Sequence, residues 1–239
     1  MKKFPIILTL LIFIVAVSSA SAADISAFEL KGGRVFKGGE EIECYVNEVP
    51  SEIEGPVRYW ISLGWQNEVR EDEYGAYFFT SEGACLTFVP DESCQDVIFS
   101  PDGGRFVLVT GSGFRPDMYF EVYGEGTEKT AEFSGIRGQL EWIDPVRFVF
   151  TRIDDIREAG AFLNLSYGLR FSVAMYDTAT GETTVLKEAT DTQNFWCPEV
   201  IEDGSAVAVT EDSVKSEKDW DDEEKIERRE IRVEIPPAG

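Results

Sequence analysis

The hydrophobic residues of this chain come in short unbroken runs rather than helical stripes. Gly75-Ala-Tyr-Phe-Phe-Thr80, Asp102-Gly-Gly-Arg-Phe-Val-Leu-Val-Thr110, Asp144-Pro-Val-Arg-Phe-Val-Phe-Thr151 and Asp203-Gly-Ser-Ala-Val-Ala-Val-Thr210 share one plan. Each has a turn former, three or four apolar residues rich in β-branched or aromatic types, and a closing threonine. A short β-rich run without alternation predicts a strand buried on both faces. Successive strand residues point to opposite faces, so Phe106 and Leu108 face one way and Val107 and Val109 the other. Val107, Val109, Phe148, Phe150, Val207 and Val209 are therefore the expected core. Parallel sheets carry similar runs, but they need crossover helices, and no stretch keeps helical periodicity over three turns. By composition Lys215–Arg232 comes nearest to a helix, yet its end alternates at Ile231, Val233 and Ile235 as a strand does.

A second pattern follows the second and third runs. "MYFEVYGEGTEKTAEF" and "FSVAMYDTATGETTVL" each read as strand, glycine-containing turn, strand, which predicts hairpins. Turn, buried strand, loop and hairpin make roughly four antiparallel strands per unit of ~40–50 residues, the size of a propeller blade. The closing threonines are 30, 41 and 59 residues apart, so the loops are unequal and a strict solenoid is not expected.

"FSPDGGRFVLVT" resembles the WD40-like repeat of TolB-type β-propellers, in which this turn leads into the buried second strand of a blade. "VAMYDTATGETTVL" resembles the outer hairpin of the same repeat. The likeness is good over 97–133, fair over 171–210 and weak over 136–151, and residues 23–70 match poorly. It implies a scaffold that binds partners on its top face or in its central channel, and no catalytic signature comes with it. The chain is too short for a separate amino-terminal domain plus six blades. The expected fold is all-β, with antiparallel four-stranded repeats forming a small or partial β-propeller of four to five blades. A β-sandwich with similar strands is the alternative.

The first residues, "MKKFPIILTLLIFIVAVSSASA", have a basic start at Lys2 and Lys3, an apolar run, and small residues at Ala20–Ala22. That is the plan of a secretory signal peptide over 1–22, leaving 23–239 as one domain. The apolar run from Phe4 to Val17 is short of the ~20 residues that cross a bilayer. The expected product is periplasmic or secreted and not inserted in a membrane.

Charge then narrows the partners. The chain carries 45 acidic and 22 basic residues, and losing the leader moves the net charge from −23 to −25. So negative a surface repels phosphate backbones and anionic headgroups, which argues against nucleic acid. A protein or envelope component remains as the expected partner. There is no histidine, so Ser-His-Asp and Cys-His nucleophiles and His-ligated metals are ruled out. No catalytic, cofactor or metal residue is assigned. A carboxylate-dependent glycoside hydrolase or carbohydrate-binding propeller stays open as a second class, since such hydrolysis needs only two acids ~5–10 Å apart.

Individual motifs add little chemistry. Ser112 in "TGSGF" lacks the glycine two positions earlier that a nucleophile elbow requires. The run "DWDDEE", with Asp219, Asp221 and Asp222, lacks EF-hand spacing and reads as a solvated loop. Asp154-Asp155 is a weaker version of it. Asn164-Leu-Ser166 fits a glycosylation acceptor, to which a bacterial-looking leader gives no weight. Trp142, Trp196, Trp220, Tyr123 and Tyr176 are candidates for a sugar-stacking or partner surface; Trp142 and Trp196, just ahead of repeat strands, are expected in core packing, and Trp220, alone among acids, is expected on a partner surface with its aspartates.

Four cysteines in an exported chain predict two disulfides. Cys85 and Cys94 flank "PDES" and would pair across a hairpin. Cys44 and Cys197 would then latch the first unit to the last, unless they are separate buried thiols.

Overall fold

The computed structural model describes residues 24–91, 93–111, 117–124, 128–156 and 169–237. Its strands are β1 Phe28–Lys31, β2 Arg34–Lys37, β3 Glu40–Ile42, β4 Asn47–Glu48, β5 Tyr59–Leu63, β6 Gly75–Phe79, β7 Cys85–Pro90, β8 Cys94–Phe99 and β9 Phe106–Thr110. They continue as β10 Asp117–Tyr123, β11 Lys129–Trp142, β12 Arg147–Ile156, β13 Leu169–Asp177, β14 Glu182–Lys187, β15 Gln193–Ile201, β16 Ala206–Ser213 and β17 Glu227–Glu234. Among the described residues every strand ladder is antiparallel and joins strands consecutive in the chain, giving sheets β1–β3, β4–β7, β8–β14 and β15–β17.

The seven-stranded sheet is two units joined by one strand. The first part of β11 pairs with β10 and its end pairs with β12, and the register shifts between Gly135 and Leu140. Gly138 sits in that gap at φ +75°, a left-handed conformation natural to glycine. The sheet thereby bends onto itself: Val107, Val109, Phe120 and Val122 pack against Trp142, Phe148, Phe150 and Tyr176. The molecule is thus five antiparallel units packed face to face, a partial β-propeller rather than a sandwich of two sheets.

Four apolar interfaces join these units in chain order. Tyr77 and Phe79 of β6 face Phe28, Leu30 and Val35 of the first unit, while Ala76 and Phe78 face Phe99, Phe106 and Leu108 of the third. In β9 the alternate pair, Val107 and Val109, faces the fourth unit. Val149, Val173 and Met175 meet Phe195, Val207, Val209 and Val233 of the fifth. Uninterrupted apolar runs are required in β6, β9 and β12 because each lies between two interfaces, whereas β16 buries Val207 and Val209 against the fourth unit and leaves Ala208 and Thr210 half-buried on its other face. All six expected core residues are fully buried.

The end faces are different. Phe36 shares the outer face of the first sheet with the ion pairs Lys31–Glu29 and Arg34–Glu41. The outer face of the last carries Arg228, Glu230 and Arg232, with the Arg228 guanidinium 5.0 Å from the Trp196 ring centroid. Charged outer faces let a stack of repeats end in water. Among the described residues no apolar cluster joins the first sheet to the last.

The turns explain the aspartates. Asp102 accepts hydrogen bonds from Ser100 Oγ (2.7 Å) and Gly104 N (3.1 Å). Burial would raise this carboxyl, but those bonds and Arg105 outweigh it and hold it below its ordinary value. Asp144 does the same work without a glycine, accepting from Val146 N at 2.9 Å and Arg147 N at 2.8 Å. Gly103 has φ +65°, and a Cβ there would stand 1.9 Å from Glu54 O, so the turn also docks the preceding unit.

Several expectations need correction. The run at 75–79 is the third strand of its sheet, whereas the corresponding runs in β9 and β12 are second. The helix-like composition of 215–232 yields only two 3-10 turns, while its alternating end forms the strand β17 that the alternation fits. Cys85 and Cys94 lie in β7 and β8 of different sheets, so no hairpin joins them, and all four cysteines are free. Cys44 packs on the interface between the first two units. Cys197 N donates to Gln139 Oε1 and Thr151 Oγ1, both at 3.1 Å, on the fourth unit. The expected latch is absent.

Candidate functional site

Trp220 is the clearest displacement from expectation. It is 2% exposed, clusters with Val214 and Ile226, and donates from Nε1 to Asp191 O at 2.8 Å. Its 3-10 turn is an anchored flap, because a large apolar ring in a charged run gains most by folding inward. Lys225 draws Asp219 (3.1 Å) and Asp222 (3.2 Å) together, leaving Asp221 exposed. Among the described residues no group of three or more Cys, Asp or Glu is arranged to hold a metal.

The other aromatic candidates are structural. Trp142 is buried and donates to Ile98 O at 3.3 Å. Tyr123 stacks on Phe106 at 4.9 Å and donates to Glu121 at 2.8 Å, and Tyr176 is 4% exposed. Trp196 is half-buried under Arg228. Asp154 is occupied by Arg152 at 2.5 Å and by the Ser172 hydroxyl. Ser112, residues 164–166 and the leader lie outside the described residues.

What the chain does bring together is a cavity of about 760 Å³ at the strands that begin the second and third units. Asn47 of β4 and Trp60 and Ser62 of β5 form one wall, and Cys94, Gln95 and Asp96 of β8 form another. Glu43, Cys44 and Tyr45 come from the β3–β4 connection, Gln66 and Asn67 from the turn after β5, and Arg137 from the bend of β11. A second hollow of about 470 Å³ shares Glu43, Gln66 and Asn67 and adds Glu40, Glu41 and Glu68.

Hydrogen bonds set this geometry. Asn67 Oδ1 accepts from Gly64 N at 2.8 Å and its Nδ2 donates to Glu43 O at 2.9 Å, fixing turn and connection together. Ser62 Oγ donates to Cys94 O at 3.1 Å, joining the two walls. Asp96 accepts from Val97 N at 2.9 Å, and Arg137 reaches Gln95 O at 3.4 Å. Burial pushes the thiols of Cys44 up to about 11 and Cys94 up to about 12, so both are neutral at pH 7.

Two aromatic rings stand in solvent here. Tyr45 is 92% exposed and Trp65, adjoining Gln66, is 79% exposed. Neither was singled out by sequence reasoning; an isolated Tyr in "ECYVNE" and an isolated Trp in "LGWQNE" carry no local signal.

No family model matches the chain, and no curated protein matches it. Among solved structures, Kuenenia stuttgartiensis hydrazine synthase has 12% identity and a TM-score of 0.43, covering 87% of this chain and 71% of that one. An oligogalacturonate lyase in complex with manganese has 12% identity and a TM-score of 0.33, covering 80% and 72%.

Proposed function

We propose that this protein is an exported, non-catalytic scaffold of the TolB-like WD40-repeat kind. It binds a protein or envelope partner through loops gathered on one face. The observation that carries the reading is the cavity lined by Tyr45: a strongly exposed ring meets free polar groups there, and Trp65, also strongly exposed, is the chain neighbour of the lining residue Gln66. Single exposed apolar residues are ordinary, but convergence of exposed aromatics on a concavity marks a binding surface. Export rests on the leader pattern over 1–22.

The test compares the wild type with a Tyr45→Ala/Trp65→Ala double variant as immobilised bait for the envelope fraction of the source cells. A component retained by the wild type and lost with the double variant supports the reading. Equal retention by both, or none by either, overturns it.

Two carboxylates on the cavity favour a second reading, a glycoside hydrolase acting through Glu43 and Asp96. Glu43 is exposed and Asp96 half-buried, whereas a general acid is usually held in an apolar pocket. Turnover of aryl-glycosides that disappears with Glu43→Gln or Asp96→Asn would establish hydrolysis and displace the scaffold.

A further inference from the structure

The lining chemistry specifies a ligand class, an inference resting on the reading of this face as a binding surface. We infer that the cavity takes an uncharged oligosaccharide, with sugar rings stacked on Tyr45 or Trp65 and their hydroxyls on the amides beside them.

The first support is hydrogen-bonding capacity. The Gln66 amide is uncommitted, and Asn47 and Gln95 each keep a carbonyl oxygen free while their amide nitrogens bond backbone carbonyls. A carboxamide presents donors and acceptors side by side, and a hydroxyl is both at once, so the two are matched without net charge. A peptide would instead look for a sheet edge or an apolar anchor pocket. Here the edge strand β4 is two residues long, and the edge strand β8 already has its backbone groups bonded by side chains: Ser62 donates to Cys94 O, Arg137 to Gln95 O and Trp142 to Ile98 O, and Val97 N donates to Asp96.

The second support is the placement of the rings. A pyranose has an apolar C–H face and a polar rim, so it packs flat on an aromatic ring while its hydroxyls reach sideways. Tyr and Trp provide large rigid faces with a polar handle; Tyr45 lines the cavity with those amides, Trp65 directly precedes Gln66, and both rings stand in water.

Charge supplies the third. Glu43 and Asp96 outnumber Arg137 on the cavity, and in the adjoining hollow Glu40, Glu41 and Glu68 stand with Lys37, whose charge is paired with Glu73 at 2.6 Å. On a chain of net charge −23 this field repels uronates and phosphates.

Isothermal titration of the full chain with cellohexaose, chitohexaose, maltohexaose and hexagalacturonate tests the inference. At least one neutral hexaose is expected to bind saturably and quench tryptophan fluorescence. Trp65→Ala or Tyr45→Ala is expected to weaken it about tenfold with unchanged melting, the size of a lost stacking contact. Hexagalacturonate is expected to bind more weakly. No binding of any neutral hexaose, indifference to both substitutions, or preference for hexagalacturonate would overturn the inference. Envelope retention that still depends on Tyr45 and Trp65 would then leave the binding face standing and reject only the sugar. Loss of both would reject the face as well.

Discussion

Phe148→Ala tests the self-folded seven-stranded sheet at its centre. Phe148 is fully buried, with ring centroids 5.1 Å from Trp142 and 5.6 Å from both Phe150 and Tyr176. Those partners come from β11, β12 and β13, and the same cluster holds Val107, Val109, Phe120 and Val122 of the other half, so truncation opens a void where the two halves of the sheet meet. Burying and then deleting a phenyl group costs about 3–5 kcal/mol, the upper part applying where neighbours cannot collapse. The neighbours here are rings fixed on strands, so we expect ~4 kcal/mol. For a domain of ~150–250 residues each kcal/mol lowers Tm by ~2–4 °C, giving a drop of roughly 8–16 °C. Urea unfolding should show a lower midpoint at an unchanged slope. Tyr45→Ala, at 92% exposure, serves as control and should stay within ~0.5 kcal/mol of the wild type. A Phe148→Ala protein that melts with the control would refute the placement of the two units against each other.

Gly103→Ala should destabilise by more than ~1 kcal/mol, because its φ is +65° and the new Cβ meets Glu54 O, whereas Gly104→Ala has space and should not; paired melting curves decide it. Glu73 is buried with Lys37 at 2.6 Å and Arg70 at 3.1 Å. Burial works against its charge, but the contacts with Lys37 and Arg70 prevail and hold its carboxyl below its ordinary value. A depressed folded pKa stabilises above the unfolded value and is lost as pH falls through the folded one. The stability gap between wild type and Glu73→Gln at pH 7 should therefore close in acid, and a gap constant down to pH 3 would contradict the pairing. Denatured, unreduced protein should take up four alkyl groups, one per free cysteine, and fewer would reveal a disulfide. In the native state Cys44 and Cys85, pushed by burial to about 11, should react faster as pH climbs past 9.0, since only the thiolate attacks; a rate already level there would contradict their burial.

The strands that cross the middle of this fold were legible in the sequence. Phe106–Thr110 and Arg147–Thr151 had to be buried on both faces, since an uninterrupted apolar run leaves no side for water, while the like run Ala206–Thr210 ends the stack and leaves Ala208 and Thr210 half-buried. The turns were legible too, because Asp102, Asp144 and Asp177 act on backbone within three residues of themselves. Burial of Trp220 was not, for its charged neighbours predict exposure and only the hollow beneath Val214 and Ile226 draws it in. The cysteine pairing also depended on which sheet each strand would join, and β7 and β8 part company at that point. The cavity lay furthest from view. Its walls come from residues 43–47, 60–62, 66–67, 94–96 and 137, segments with no common pattern that meet only where unit packing brings their ends together. Local chemistry determines strands and turns because its partners are a few residues away; a site whose partners are dozens of residues away exists only once tertiary packing has chosen them.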